Sequence, residues 1–268
     1  MCFAFAGNAR LLVSGAFDKE VKTWDCGELR LAAAHTCHQN AVTAVACDAE
    51  GARAVSGDKD GSVFSWTTGD FRSPVLFAAI DGRVNSLAFS PGGHVLTCGG
   101  GIERQLSKVH VWDSESGSLI RMLAGHSDWV LWVGFSTDGT IMGTGSYGET
   151  CLWDTESWEL LQVLRRPDTE RFSTIAFSFS SGKEVFITGA WSHEDVRHEV
   201  RDTSGNILGW NVTHKGLVQF WDLTSGTMSD CIEAHTNSLC GLAYDQKEDL
   251  LATGGADGVV KIWSTKPR

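Results

Sequence analysis

A histidine, a hydroxyl and an aspartate recur together along this chain. His38 is followed by Ser56 and Asp60, and His235 by Thr253 and Asp257 at the same offsets. His126 is followed by Thr144, with Tyr147 where an aspartate would stand, and Ser14 is followed by Asp18. A serine or threonine activated by an imidazole, itself held by a carboxylate, is the equipment of acyl-transfer hydrolysis. One such set serves an enzyme. Here it repeats, and each copy is followed by a tryptophan: Trp24, Trp66, Trp153 or Trp263. Repetition at fixed offsets points to architecture, because a buried indole N–H and a buried imidazole each need a hydrogen-bond partner.

A second group of side chains could bind metal. His193, His198 and His214 lie near Glu194, Asp195 and Glu199. Their spacing matches neither a metalloprotease helix nor a zinc knuckle, and it reads as a solvated charged loop. "GGGIERQLSK", from Gly99 to Lys108, is glycine-rich but lacks the lysine and hydroxyl that close a phosphate-binding loop. The sequence therefore calls for no catalytic residue, no metal and no cofactor.

The elements that carry these residues show in the repetition itself. Tryptophans close apolar, alternating segments at "VKTWD" (Trp24), "VFSWT" (Trp66), "VHVWD" (Trp112), "TCLWD" (Trp153), "VQFWD" (Trp221) and "VKIWS" (Trp263). The interval is about forty residues except before Trp221, where it is much longer. Between them lie period-two strands punctuated by Gly, Asp, Ser and Thr turns. Thirty glycines against four prolines agree with many tight turns.

This pattern resembles the WD-repeat β-propellers. The likeness rests on the Trp-Asp pairs at 24–25, 112–113, 153–154 and 221–222, on Gly125-His126, and on the "FSPGG" and "FSTDG" turns. It covers essentially the whole chain. It implies an all-β fold of six recognisable blades, each with strands a to d, in one domain over residues 1–268. The closing d strand is expected to be missing, or the chain to be a seven-blade propeller shortened at its N-terminus. The 192–215 insertion falls in the b–c loop of blade five, and its charged first half reads as one or two helical turns. The resemblance also implies that His38, Ser56, Asp60 and Trp66 form a structural network of hydrogen bonds. So do His126, Thr144 and Trp153, and likewise His235, Thr253, Asp257 and Trp263, with Asp18 and Trp24 in blade one. Blades three and five, with Ile80 and Asp168 in the histidine position, are expected to have lost it.

The resemblance places the d–a and b–c turns on one face, where partners bind. Read there, the sequence offers Phe17, Lys59, Arg83, Trp129, Leu131, Tyr147, Arg171 and Trp191, with Trp210 in the insertion. Aromatic residues and arginine are enriched at binding hot spots. Cations set among aromatics suggest an acidic or phosphorylated peptide.

The 33 acidic and 22 basic side chains leave a formal charge of −11, which disfavours binding to nucleic-acid phosphates. "MCFAFAGNAR" lacks the order of a secretory signal, and no apolar run approaches the length of a membrane span. The eight cysteines contain no C-x-x-C pair and read as reduced thiols. An intracellular protein is expected, cytoplasmic or nuclear, with no membrane and no small-molecule substrate. Its expected role is that of a non-catalytic scaffold or adaptor whose partners are other proteins, as a subunit of a multiprotein complex. The alternatives are a reader of modified or basic tails in a chromatin-type complex, and a hydrolase with a site on the top face or in the channel.

Overall fold

The computed structural model describes residues 2–6, 10–69, 74–91, 93–100, 107–165, 172–179, 185–192, 196–201, 207–213, 215–245 and 248–264. Of these, the side chains of 94–98, 100, 172–179, 185, 190–192, 196–201 and 207–213 are outside the description. Among the described residues there are strands and turns and no helix.

The chain runs as successive antiparallel meanders. The first sheet holds β1 (Cys2–Ala6), β2 (Leu11–Gly15), β3 (Val21–Asp25) and β4 (Arg30–His35). The second holds β5 (Val42–Cys47), β6 (Arg53–Asp58), β7 (Ser62–Thr67) and β8 (Val75–Ala79). The third holds β9 (Arg83–Phe89), β10 (His94–Gly100), β11 (Lys108–Asp113) and β12 (Leu119–Leu123). The fourth holds β13 (Val130–Phe135), β14 (Ile141–Ser146), β15 (Thr150–Asp154) and β16 (Leu160–Leu164).

The fifth sheet joins β17 (Phe172–Phe179) and β18 (Val185–Ser192) to β21 (Gly216–Asp222) and β22 (Thr227–His235). Between its second and third strands lies a separate two-stranded sheet of β19 (Val196–Arg201) and β20 (Ile207–Thr213). The insertion is thus a β-hairpin, where helical turns were expected. The alternation in "VRHEVR", with valines at 196 and 200, suits a strand. The sixth sheet has three strands, β23 (Leu239–Asp245), β24 (Leu250–Gly255) and β25 (Val260–Ser264).

The chain forms two compact units, residues 1–144 with 152–161, and residues 145–151 with 162–268. In the first, the core lies between neighbouring sheets. Val13 and Val21 of the first sheet pack with Val42, Val45, Ala54 and Trp66 of the second. Val55 and Val63 of the second pack with Val84, Leu87 and Trp112 of the third. In the second unit, Ile187 and Val218 pack with Leu251, Leu242 and Trp263 in the same way. The repeated tryptophan is therefore part of the contact with the preceding sheet.

One position sets how closely the sheets approach. Ser14, Ser56, Thr188 and Thr253 lie opposite Lys22, Phe64, Gln219 and Lys261, so the glycines that follow them are equivalent. A Cβ on Gly15 would lie 2.4 Å from Val42 Cγ1, and one on Gly57 would lie 2.4 Å from Val84 Cγ1. A Cβ on Gly189 would lie 2.5 Å from Leu239 Cδ2. In each case the first apolar residue of the next sheet occupies the space that a side chain would need. A Cβ on Gly254 of the sixth sheet would meet nothing within 4 Å. Gly57→Ala is expected to cost about 1–3 kcal/mol through overpacking, and Gly254→Ala to leave stability nearly unchanged. Thermal melts of the two variants check this, and equal losses would refute it.

Candidate functional site

Each triad-like set lies at the join of a d–a turn, strand b and strand c, which brings distant residues into one sheet. In the sixth sheet Trp263 Nε1 donates to Thr253 Oγ1 at 2.9 Å, Thr253 Oγ1 lies 2.9 Å from His235 Nε2, and His235 Nδ1 lies 3.0 Å from Asp257 Oδ1. The carboxylate only accepts, so Nδ1–H donates to it, Nε2 accepts from the hydroxyl, and the hydroxyl accepts from the indole. In the fourth sheet Trp153 Nε1 donates to Thr144 Oγ1 at 2.8 Å, with His126 Nε2 2.6 Å from the same oxygen. In the first, Trp24 Nε1 donates to Ser14 Oγ at 2.9 Å, while Asp18 Oδ1 accepts from the Glu20 backbone N–H and Oδ2 from Lys22 Nζ.

The second sheet departs from the expected set at two residues. His38 Nδ1 pairs with Asp58 Oδ2 at 2.8 Å, and Asp60 instead accepts from Asn40 Nδ2 at 3.0 Å. Asp58 is the last residue of strand b, fully buried, and reaches the imidazole first. In the sixth sheet the equivalent residue is Gly255, where a Cβ would lie 2.5 Å from His235 Nδ1, and its absence leaves room for Asp257. Trp66 is the other departure. Its buried Nε1 has no hydrogen-bond partner, so Ser56 pairs with His38 alone, at 2.7 Å. The Phe64 ring lies edge-on to His38 at 4.8 Å.

The turn after Thr144 is one residue shorter than the corresponding turn after Ser56. Gly148, with φ 88°, follows Tyr147, and Ser146 N–H donates to Glu149 O across the turn at 2.9 Å. Tyr147 is therefore a half-buried turn residue and does not take the place of an aspartate.

The fifth sheet keeps a network in altered form, against expectation. Trp221 Nε1 donates to Thr188 Oγ1 at 2.9 Å, and Thr188 Oγ1 donates to Gln219 Oε1 at 3.0 Å. The fully buried Gln219 on strand c does the work of the missing histidine, and its Nε2 has no partner. In the third sheet Ile80 joins the apolar core, and His110 stacks on Trp112 at 5.3 Å.

Ser56, Thr144, Thr188 and Thr253 are all buried and their hydroxyls are engaged within the sheets, a poor setting for nucleophilic attack. The thiols are equally unsuited to nucleophilic attack where they are buried. Burial pushes Cys47 up to about 12, with Asp48 adding to it. Burial also pushes Cys151 up to about 12, with Glu149 adding to it.

The b–c turns and the starts of strands a form a second set of residues. In the first unit, backbone bonds string them together. Val42 N–H donates to Ala16 O at 3.0 Å, and Lys59 N–H to Ala41 O at 3.1 Å. Gly61, with φ 93°, packs its α-carbon against Ile80 O and Gly82 O, leaving no room for a Cβ. Thr43 Oγ1 donates to Val84 O, and Asn85 Nδ2 to Val130 O at 2.8 Å. Phe17, Lys59, Arg83 and Trp129 therefore lie along the same end of consecutive sheets. Phe17, 74% exposed, Lys59 and Arg83 face solvent, and Trp129 and Leu131 are half-buried. Exposed Asp18, Asp60 and Asp81 stand beside them in sequence, so this end is mixed in charge. Arg171 lies outside the described residues, as do the side chains of Trp191 and Trp210.

With this geometry in view, the kinship of the chain is plain. The "WD domain, G-beta repeat" family pattern matches residues 1–25, 30–67, 75–113, 117–154 and 226–264. The chain belongs to the WD40 repeat family, and its fold is the β-propeller of that family. Among relatives, the Periodic tryptophan protein 2 of Arabidopsis thaliana is 26% identical over 186 residues, covering 65% of this chain and 20% of that protein. The "Small ribosomal subunit protein RACK1" of Caenorhabditis elegans is 30% identical over 113 residues, 42% of this chain and 33% of that one. "Cell division cycle 20.5, cofactor of APC complex" of Arabidopsis thaliana is 26% identical over 158 residues, 58% of this chain and 29% of that one. The chain thus spans a third or less of the length of these relatives. A crystal structure of the computationally designed Ika8 protein has a TM-score of 0.69, with 24% identity, covering 98% of this chain and 70% of that one. Among the described residues, no helix is long and apolar enough to cross a membrane.

Two outcomes follow. Asp58→Ala leaves a buried imidazole without its carboxylate and is expected to cost about 3 kcal/mol or more. Asp60→Ala, at an exposed site, should change stability by about 0.5 kcal/mol or less. Denaturant melts separate the two, and reversed magnitudes would restore Asp60 to the network. Burial also holds the His110 imidazole below its ordinary value of 6.5, with Lys108 lowering it further and Asp81 opposing. The folded state favours the neutral ring, so its stability is complete above about pH 6.5 and is lost as pH falls through the folded value. A melting temperature that falls on acidification, less steeply in His110→Phe, is the expected result.

Proposed function

We propose that this chain is a non-catalytic interaction scaffold that presents the b–c turn end of its sheets to peptide segments or domains of partner proteins. The observation that supports this is a contrast. The hydroxyls that could have done chemistry are buried and already engaged, whereas Phe17, Lys59 and Arg83 stand exposed at one end. Trp129, Leu131 and Tyr147 would supply half-buried apolar area beside them. Arg171, Trp191 and Trp210 belong to the proposed surface on their sequence positions. Recognition would combine aromatic anchors with a polar rim.

The relatives support the class of role. One is by its description a ribosomal subunit protein and another a cofactor of the APC complex. Membership of an assembly inside the cell is the corresponding reading for this chain. A second reading has its own observation. Asp18, Asp60 and Asp81 lie at the same end, and a formal charge of −11 suits a basic tail as the ligand. A hydrolase would need a reactive group outside the buried networks.

Affinity purification with mass spectrometry tests the proposal, using wild type beside Phe17→Ala, Arg83→Glu, first shown to melt like wild type. Truncating hot-spot residues removes about 2 kcal/mol or more each, so partners held at this end should be lost. Partners retained in full would place the binding surface elsewhere. Partners gained or strengthened by Lys59→Glu would favour the basic-tail reading.

A further inference from the structure

The turns between strands c and d share one construction. Asp113, Asp154 and Asp222 each accept two backbone N–H bonds from their own turn. The residue four positions on donates its N–H back to the aspartate carbonyl: Gly117 and Trp158 at 2.9 Å, and Gly226 at 2.8 Å. That residue has a left-handed backbone, with φ 69° at Gly117, 59° at Trp158 and 70° at Gly226. Leu29 holds the same position in the first sheet, with φ 51°. A Cβ is unfavourable there. A tryptophan kept where the turn suits glycine is an outlier of the kind that gathers at functional sites.

The glycines show what this position faces. A Cβ on Gly117 would lie 3.6 Å from the Phe77 ring on β8, and one on Gly226 would lie 2.1 Å from Gln162 Nε2 on β16. The turn therefore faces the outer strand of the preceding sheet. For Trp158 that strand is β12, and both belong to the first compact unit.

β12 is the outer edge of its sheet, and an edge strand leaves a row of backbone N–H and C=O groups unpaired. Its first four residues, Leu119, Ile120, Arg121 and Met122, are all exposed, whereas the third and fourth residues of β4, β8 and β16 are half-buried. Arg121, the single charge of this apolar strand, has no hydrogen bond or ion pair with a described residue. It is also the central residue of β12, so a second β12 laid antiparallel in full register would set Arg121 against Arg121, which is destabilising. The complementary strand instead carries an acidic residue between apolar ones.

We propose that β12 and Trp158 form a docking edge for an extended segment of a partner protein, which pairs with β12 as an added strand. A carboxylate of the segment meets Arg121, and its apolar residues lie over Ile120, Met122 and the Trp158 indole. Main-chain bonds supply affinity in such pairing and side chains supply specificity. This surface is separate from the b–c turn end and stands or falls without it.

A random-peptide phage library panned against the full chain tests it, with the enriched sequence made as a synthetic peptide and titrated by fluorescence anisotropy. The expected peptide has an acidic residue flanked by apolar ones. Arg121→Glu and Trp158→Gly should each weaken it by about tenfold or more, while Phe17→Ala, Arg83→Glu leaves it bound. Backbone N-methylation at alternate residues of the peptide should abolish binding on one edge and be tolerated on the other. Arg121 is exposed, and Trp158→Gly relieves the left-handed turn, so both variants should melt no lower than wild type. The proposal is overturned if no enriched peptide depends on both Arg121 and Trp158, if N-methylation is tolerated throughout, or if Trp158→Gly melts well below wild type. Sedimentation velocity completes the test: self-association of wild type that Arg121→Glu abolishes would give the edge to a second copy and overturn it as well.

Discussion

The approach of one sheet to the next through a single missing side chain governs most of what this molecule does. A glycine directly after the strand-b hydroxyl lets the first aliphatic residue of the following sheet sit where a Cβ would be, at Gly15, Gly57 and Gly189. Because side chains alternate along a strand, fixing one residue on this face fixes the others. Val21, Val63 and Val218, three residues before a tryptophan, then pack with Trp66, Trp112 and Trp263 of the next sheet and exclude water. Dense packing of this kind leaves little freedom in how neighbouring sheets are set.

The hydrogen-bonded sets depend on that seclusion. An indole that can only donate starts a chain of bonds in which each later group accepts once and donates once, ending on a carboxylate or an amide oxygen. The same polarity exists in a hydrolytic triad. What separates the two is access, because these hydroxyls spend a lone pair on tryptophan and lie under the packed face. The second and fifth sheets show that the arrangement tolerates substitution of its members. Asp58 acts from strand b where Asp257 acts from the turn, and Gln219 takes over where histidine is missing.

The repeated strands and the tryptophan period were legible in the sequence because they arise from local alternation and recurrence. The hydroxyl–indole pairs at Ser14–Trp24, Thr144–Trp153 and Thr253–Trp263 were legible for the same reason, since both members recur at near-constant spacing. The identity of the carboxylate partner was not. Asp58 and Asp60 are two residues apart, and which one reaches His38 depends on whether a side chain occupies the end of strand b. Gln219 was invisible because it fills a histidine's role from a different strand. The bonds from Thr43 and Asn85 join residues more than forty positions apart, beyond any local pattern. The hairpin at 196–213 was misread because its run of charged residues outweighed the valines at 196 and 200.

That hairpin carries a consequence of its own. Strands β18 and β21 pair without a register shift from Val185–Asp222 to Trp191–Gly216, as though nothing had been inserted between them. The ladder closes at its base, so the added segment makes its own hydrogen bonds and leaves the host sheet unchanged. Lengthening such an excursion costs only the slowly growing entropy of loop closure, about 0.6 kcal/mol for each doubling. The junction of Ser192 with Gly216 is thus a natural graft point, where foreign sequence can be spliced in and carried by a scaffold that does not have to adapt to it.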